Sequence, residues 1–447
     1  MSADDDRTDL IVTSLREAFG PLMEADPRAF RTKFRKMARD PFAFYRGSAC
    51  LFYADVGDGG RYADVDRAFV DEDSSRVWIQ GDLHAENFGT YLDADGRLVF
   101  DVNDFDEAYL GHWTWDVERF VASLALMCWQ KALPDDTIAA LVESYTRAYA
   151  DQVAHYREVD DDTEWALTLD TAEGAALHAL HVAKMSTRFE MLEEQTVVED
   201  YRRRFADTSV VRRLEGDEEE AVRSAFDTYR ATLPERGERG RVTFDVLDVV
   251  GRSGVGIGSA GLPTYSILIE GFTQALDNDV ILSMKQGNVA APSRVVDDER
   301  ARDYFEHHGH RTAISQRALQ AHADRFLGWT ALERSSGPTG YVVSEVSPYE
   351  ADVSWDALSE PEDLEVLVPQ LGRATAKIHC VADSESDQDL VQVEVEDAVG
   401  RCIGDDVDGL VSTLTDFAQD YSRRVREDHA LFVEAFRSGA FQHVAPA

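Results

Sequence analysis

The chain has 447 residues, of which 44% are hydrophobic and 10% aromatic, and this composition excludes a largely disordered protein. Its 45 basic and 85 acidic residues give a net charge of −40, which excludes general binding of nucleic acids by a basic surface. Because molar salt shortens the Debye length to about 3 Å and screens such self-repulsion, we expect a cytoplasmic protein from a halophilic organism.

Local composition excludes three further classes of protein. The four cysteines form no CxxC pair and lie far apart, so we expect reduced, mostly buried thiols rather than disulfides or a zinc site. The acidic residues 1–7 lack an apolar segment, so we expect no signal peptide. The longest apolar run, residues 121–129, is too short to span a bilayer, so we expect no membrane partner.

The first predicted elements are two helices, at residues 8–19 and 27–40, and Pro27 is suited to the first turn of the second. Arginines recur in the second helix at spacings of three and four, which places them on one face: Arg28, Arg31, Arg35 and Arg39. This basic stripe either pairs with nearby acidic residues at the surface or holds an anionic ligand or the acidic body of a second lobe.

The next region combines short strands with a long helical part. Residues 77–80 resemble a buried strand that leads into a loop at 81–89, and residues 91–104 form a predicted hairpin that turns at 93–96. The period becomes helical from Trp113, and residues 134–235 are predicted to continue as helices. Charged linkers are predicted between these helices at two places, 160–162 and 216–220.

At about residue 241 the hydrophobic period changes from 3.6 to 2. The predicted elements that follow are strands at 245–250, 264–270 and 280–284, a helix near 297–325, and strands at 326–334 and 340–346. Helices dominate again from residue 355. We therefore predict an α+β fold with three parts: a helical lobe at 1–240, a small β-rich nucleotide-binding lobe at 241–350, and C-terminal helices at 351–447 that complete the helical lobe.

The segment Gly-Asp-Leu-His-Ala-Glu-Asn at 81–87, followed after the hairpin by Asp-Phe-Asp at 104–106, has the pattern of a Mg-nucleotide phosphotransferase. Such a site needs an Asp that accepts a hydroxyl proton, which predicts Asp82, and metal ligands, which predicts Asn87, Asp104 and Asp106. Aspartate is abundant in this chain, so single matches arise by chance, but the ordered combination is far more demanding.

A glycine-rich segment at 251–261 lies between the first two strands of the small lobe. Residues 256–261 match GxGxxG, but a strand follows where a dinucleotide site needs a helix. A strand, glycine loop and strand instead suit backbone amides that cover phosphates. This predicts phosphate contacts from the loop residues Gly254, Gly256, Gly258, Ser259 and Gly261.

The third strand of the small lobe ends in Lys285, which we predict to pair with the nucleotide phosphates. Its partner carboxylate on the following helix is left open between Glu299 and Glu306. The strand at 341–346 suits the hinge between the lobes, so the backbone of Glu345 and Val346 is predicted to meet adenine.

These residues resemble the aminoglycoside and choline kinase superfamily, whose loop reads His-Gly-Asp-x-x-x-x-Asn before an Ile-Asp-Phe/Trp-Asp/Glu metal motif. Gln80 stands here at the place of the leading His. The resemblance implies a protein kinase-like, two-lobed fold. It also implies the roles given above for Asp82, Asn87, Asp104 and Asp106, with Asp116 as a later structural Asp.

Over nearly the whole chain, the sequence is also similar to domain-of-unknown-function family 2252, a prokaryotic family that carries no established reaction. The similarity is carried by the glycine loop and four further segments, which are residues 41–47, 81–89, 103–108 and 324–329.

The order of the motifs is unusual, because the loop at 81–87 precedes the glycine-rich segment. In the kinase superfamily a helix reading Leu-(Gly)-x-x-Leu-Ala-x-Leu-His comes shortly before that loop, and residues 371–379 resemble it near the C-terminus. We therefore predict a circularly permuted kinase-like fold, with residues 371–379 close to Asp82.

The function predicted from these residues is ATP- and Mg²⁺-dependent phosphotransfer to a small hydroxyl- or amine-bearing molecule. Arg46 is predicted to contact the acceptor, although it serves equally well as a buried ion-pair partner. Two alternatives remain open: a nucleotide-binding regulatory module without turnover, and a metal-dependent hydrolase that uses Asp104 and Asp106. The acceptor, the choice of ATP or GTP, and the oligomeric state are not determined by the sequence.

Overall fold

Helices make up most of this chain in the computed structural model, which describes residues 3–57, 60–159, 161–234, 244–252, 261–334, 337–384, 386, 388–441 and 444. Within these ranges the α-helices are α1 (Ala3–Ala25), α2 (Pro27–Met37), α3 (Pro41–Gly47), α4 (Ala49–Val56), α5 (Asp64–Phe69), α6 (Trp113–Gln130), α7 (Asp135–Tyr156), α8 (Gly174–Met185), α9 (Arg188–Gln195), α10 (Gly216–Arg230), α11 (Glu299–Tyr304), α12 (His308–Gln320), α13 (Pro361–Cys380), α14 (Val395–Ile403) and α15 (Val407–Arg437). The strands are β1 (Val77–Ile79), β2 (Phe88–Leu92), β3 (Leu98–Val102), β4 (Tyr109–Gly111), β5 (Thr196–Glu199), β6 (Arg202–Phe205), β7 (Val211–Arg213), β8 (Val246–Arg252), β9 (Thr264–Ile269), β10 (Val280–Gln286), β11 (Gly328–Arg334) and β12 (Gly337–Glu345).

One antiparallel sheet of six strands has the order β11-β12-β10-β9-β8-β7. β9 is buried along its whole length, as expected for the centre of a covered sheet. In β10 the register places Lys285 opposite Thr264 on one side and Val342 on the other. The apolar face of α10, including Phe226 and Tyr229, packs in the same core as this sheet.

A second and larger core is formed by helices. Every residue of α6 from Trp113 to Cys128 is buried, and α6 packs against α7 and α15. α13 packs closely against α7, and Gly372 permits this approach because a Cβ there would stand 2.5 Å from the Tyr145 carbonyl oxygen. The helical core carries the loop and hairpin at 81–106.

The two ends of the chain pack together. α1 lies against α15, and Arg7 on α1 bridges two buried carboxylates. Its Nη1 donates to Asp55 at 2.6 Å and its Nε donates to Asp428 at 2.9 Å. The first and last helices therefore belong to one body.

The α+β class, the hairpin that turns at 93–96, and the C-terminal helices are confirmed. The predicted helix near 297–325 consists of two helices, α11 and α12, whose N-termini are capped by Asp298 and His307. The boundaries at 240 and 350 stay a prediction, although β7 and α10 join the sheet and its core from before residue 241.

The prediction that residues 134–235 contain helices alone is wrong, because β5, β6 and β7 lie between α9 and α10. In β6 the two buried positions are Phe205 and Arg203, and Arg203 donates from Nε to Asp279 at 3.2 Å. A buried arginine hides the alternation that indicates a strand. The segment 216–220 is also not a linker: it begins α10, where three acidic residues in the first turn favour the helix dipole.

Among the described residues, none of the helices combines the length and the apolar character needed to cross a membrane.

Candidate functional site

A polar cavity with a volume of about 620 Å³ lies between the six-stranded sheet and the loop and hairpin at 81–106. One wall is formed by β10 and β12, which contribute Lys285 and Glu345. The opposite wall is formed by Asn87 and the segment after β3, which contributes Asp104 and Asp106. With Arg46, six predicted site residues thus line one cavity although up to 299 positions separate them.

Asp116, on the first turn of α6, binds the backbone at the start of the loop at 81–87. Its carboxylate accepts the N–H of Gln80 at 2.6 Å and that of Gly81 at 2.9 Å. His379 Nε2 lies 3.3 Å from the same carboxylate, and the Tyr149 hydroxyl lies 2.9 Å from His379 Nδ1. His379, the last residue of the segment 371–379, therefore contacts the carboxylate that holds the loop.

Gln80, at the position where the resembling superfamily has His, joins the loop to the acidic motif. Its Oε1 accepts the N–H of Asp82 at 2.8 Å, while its Nε2 donates to the carbonyls of Asn103, at 3.2 Å, and Asp104. Gly81 has a φ of +82°, and a Cβ there would stand 2.2 Å from the Glu107 carbonyl. Only glycine permits so close an approach of the two segments.

The carboxylate of Asp82 is paired with a buried arginine. Arg119 on α6 is fully buried, and its Nε donates to Asp82 Oδ1 at 2.6 Å. Burial raises the pKa of Asp82 to about 7, against the opposing effect of Arg119. Asp82 does not line the large cavity but a smaller one of about 40 Å³ beside it, and Arg46 lines both.

Unlike the Asp82 carboxylate, the residues predicted to hold a metal ion line the large cavity. Asn87 Nδ2 donates to the carbonyl of Asp82 at 3.0 Å, which leaves the Asn87 Oδ1 available as a ligand. Burial, together with the neighbouring Asp106, raises the pKa of Asp104. Amide and carboxylate oxygens are the ligands that Mg²⁺ prefers, and a divalent cation would relieve the repulsion between the two carboxylates. This donor set therefore fits Mg²⁺.

The partner of Lys285 is Asp106 rather than either carboxylate left open by the sequence. Their side chains form an ion pair across the cavity, whereas no ion pair joins Lys285 to Glu299 or Glu306 within the described residues. Burial lowers the pKa of Lys285, but Asp106 and Asp104 outweigh it and raise this pKa overall. Lys285 is thus a cation beside the proposed metal ligands.

Arg46 on α3 forms an ion pair with Glu86, and its Nε donates to His84 Nε2 at 3.3 Å. Burial lowers the pKa of His84 well below its usual value, so the ring is neutral and accepts this hydrogen bond. These contacts fit the ion-pair alternative for Arg46. Contact of Arg46 with an acceptor stays a prediction. Arg46 lines both cavities, so a molecule in either one can reach it.

At the predicted hinge, the two backbone N–H groups are already bonded within the protein. Glu345 N donates to Asp324 Oδ2 at 2.9 Å, and Val346 N donates to the carbonyl of Ile281 at 2.8 Å. The Glu345 carboxylate pairs with Arg188 at 2.5 Å. A base at this end of the cavity would therefore meet backbone carbonyls and side chains rather than these two donors.

The glycine-loop residues Gly254, Gly256, Gly258 and Ser259 lie outside the described residues. Gly261 is described and has a φ of +79°. It lies against α1 and α2, since a Cβ there would be 3.2 Å from Phe30 Cε2 and 3.6 Å from the Leu22 carbonyl. The opposite face of α2 carries Arg28 and Arg35 of the basic stripe, which are both exposed, and Arg39 is exposed in the turn after α2 ends at Met37.

The structure adds three charged residues that the sequence analysis did not single out: Arg119, Lys33 and Glu107. Arg119 could have been found from the sequence, because it and Glu118 interrupt the apolar helix 113–128. Charged residues are almost never fully buried unless they are paired, so a charge inside such a helix indicates a specific partner. Lys33 and Glu107 line the small cavity with Asp82 and carry no comparable signal in the sequence.

The chain belongs to a bacterial protein family, because residues 25–435 match the family described as "Uncharacterized protein conserved in bacteria (DUF2252)". Searches of curated proteins and of solved structures each returned no match to the chain.

Proposed function

We propose that this protein is an ATP- and Mg²⁺-dependent phosphotransferase that acts on a small hydroxyl- or amine-bearing molecule. The proposal is carried by one observation: Asn87, Asp104, Asp106 and Lys285 meet at one cavity, directly beside Asp82. Phosphoryl transfer requires this set, because it proceeds through positioning and charge stabilisation more than through covalent chemistry.

The fold we propose is a circularly permuted form of the kinase-like fold. Its support is the contact of His379 with Asp116, which brings the helix 371–379 to the loop that it precedes in the resembling superfamily. The packing of α1 against α15 also supports it, because adjacent chain ends allow a new start point without a change of core.

In the proposed reaction, Lys285 and the glycine loop hold the nucleotide phosphates. Mg²⁺, when bound by Asn87, Asp104 and Asp106, would neutralise charge on the phosphate oxygens. The acceptor oxygen or nitrogen attacks the γ-phosphorus, the bond to the β-phosphate oxygen breaks, and the acceptor proton passes to Asp82. A pKa of about 7 suits a general base at neutral pH, and Arg119 fixes its orientation.

Nucleotide binding is the first test. In 2 M KCl we expect Mg²⁺ with ATP or GTP to raise the melting temperature, because a ligand at 100 times its Kd stabilises by about 2.7 kcal/mol. Lys285→Ala should abolish most of this shift, whereas Lys184→Ala on the exposed surface of α8 should not. No nucleotide-dependent shift in the wild type would refute the proposal.

Turnover is the second test, with ADP formation as the readout and water as the default acceptor. Asp82→Asn should keep the nucleotide-dependent shift and lose at least about 100-fold in ADP formation, in the range of general-base removal. A wild type that binds nucleotide but forms no ADP, with or without candidate acceptors, would indicate the regulatory module. Metal binding without any nucleotide response would indicate the metal-dependent hydrolase.

A further inference from the structure

The small cavity beside Asp82 contains a buried cation without a bonded partner. Lys33 lies on the inner face of α2 and is 4% exposed. Its Nζ stands 4.0 Å from the centre of the Phe19 ring. No hydrogen bond or ion pair joins this nitrogen to another residue in the part of the chain that the structure describes. Burying an ammonium group costs far more free energy than one cation–π contact recovers. A bound anion would therefore stabilise this site.

The carboxylates that line the rest of the cavity do not contact Lys33. The other charged side chains are already engaged: Asp82 with Arg119, Glu107 with the Ala291 N–H, Arg46 with Glu86, and Arg294 with the carbonyls of Glu17 and Ala18. Burial lowers the pKa of Lys33, and Cys50, Glu107 and Asp82 oppose this shift only through space. Within this set, Lys33 is therefore the basic side chain without a bonded partner, and a bound anion would favour its protonated form.

The size of the cavity limits what can enter. Its volume is about 40 Å³, enough for only a few water-sized groups, whereas the neighbouring cavity has about 620 Å³. A carboxylate group has three heavy atoms, whereas a phosphate group has five. The cavity therefore suits the carboxylate end of a molecule whose remainder extends past Arg46, which also lines the larger cavity.

We propose that Lys33 binds a carboxylate of the acceptor, and that the acceptor is a small hydroxycarboxylate whose hydroxyl reaches Asp82. This inference rests on the proposed function, because it takes Asp82 as the group that accepts the hydroxyl proton. It narrows the acceptor from any hydroxyl- or amine-bearing molecule to one with an anionic end.

The test uses the full-length protein in 2 M KCl and measures binding by titration calorimetry. The probes are glycerate and gluconate, with glycerol and glucose as uncharged counterparts and glycerol 3-phosphate as the phosphate counterpart. We expect at least one hydroxycarboxylate to bind and its uncharged counterpart not to bind. Lys33→Met should weaken that binding at least tenfold, whereas Lys36→Met, on the exposed face of the same helix, should leave it unchanged.

Lys33→Met removes the terminal amine and keeps an unbranched side chain one heavy atom shorter, and its melting curve without ligand checks that it folds. Equal binding by Lys33→Met and wild type, binding of glycerol 3-phosphate alone, or no binding by either hydroxycarboxylate would overturn the inference.

The two proposals fail separately. Nucleotide-dependent stabilisation without Lys33-dependent carboxylate binding would leave the phosphotransferase standing and remove the hydroxycarboxylate. Carboxylate binding without a nucleotide response would remove the phosphotransferase and leave an anion site at Lys33.

Discussion

At the scale of single residues, burial controls the charge state of several acidic side chains, and Glu118 is the most enclosed of them. It lies on α6 next to Arg119 and is fully buried. Neither of its carboxylate oxygens has a hydrogen-bond partner among the described residues. Burial, with a smaller effect of Asp66, raises the pKa of Glu118 well above its usual value. Burial therefore favours the neutral carboxylic acid over the carboxylate in the folded protein.

This makes stability depend on pH in a defined direction. The folded protein keeps the Glu118 proton to a higher pH than the unfolded chain, whose pKa is 4.5, so Glu118 lowers stability as pH rises between the two pKa values, at up to about 1.4 kcal/mol per pH unit. Glu118→Gln removes this dependence, and we expect its stability relative to wild type to increase from pH 6 to pH 8 in denaturant unfolding. Glu365→Gln, at an exposed position of α13, should show no such trend. Parallel pH profiles for Glu118→Gln and wild type would show that Glu118 is ionised in the folded protein.

Residues of the candidate site could be predicted where they lie close together in the sequence and follow a recognisable spacing. Asp82, Asn87, Asp104 and Asp106 lie within one loop and one hairpin, so the sequence places them together. The pairing of Lys285 with Asp106 spans 179 residues and depends on how the sheet lies over the hairpin. No pattern in the sequence carries that information.

At the scale of elements, the contact of α13 with α7 depends on one glycine. Gly372 lies within α13, where helix propensity alone favours alanine by about 1 kcal/mol. A Cβ at this position would stand 2.5 Å from the Tyr145 carbonyl, however, and backbone at that distance must move.

We expect Gly372→Ala to lower the free energy of unfolding by about 1–3 kcal/mol, the usual cost of overpacking. Gly20→Ala in α1 is the matched control, because a Cβ there meets nothing within 4 Å. It should stabilise the protein by up to about 1 kcal/mol. Chemical denaturation in 2 M KCl measures both, and equal stabilisation by the two variants would contradict the close packing of α13 on α7.

Elements were predictable where the hydrophobic period was clean. β8, β9 and β10 and the hairpin β2–β3 follow alternation and turn residues, and α6 follows a helical period. β5, β6 and β7 were not predicted; in β6 an ion-paired arginine, Arg203, occupies one of the two buried positions, which leaves Phe205 as the one apolar side chain of the alternation. The acidic residues that begin α10 are equally common in surface loops, so their favourable interaction with the helix dipole depends on the helix that follows.

At the scale of the whole molecule, the net charge of −40 dominates the response to salt. Raising KCl from 0.1 M to 1 M shortens the Debye length from about 10 Å to about 3 Å and screens repulsion between exposed carboxylates. We expect the melting temperature to rise over this range, and to rise much less with sucrose at equal osmolality. A melting temperature independent of KCl would show that surface repulsion does not limit stability.

The whole fold also has a consequence for synthesis. Asp116, which holds the loop at 81–87, is contacted by His379, and 263 positions separate the two residues. At translation rates of roughly 5–20 residues per second, His379 is made between about 13 and 50 s after Asp116. During that interval the loop has its nearby strands but not the helix that contacts its base. The loop at 81–87 is therefore expected to reach its native form only after residue 379 has been synthesised.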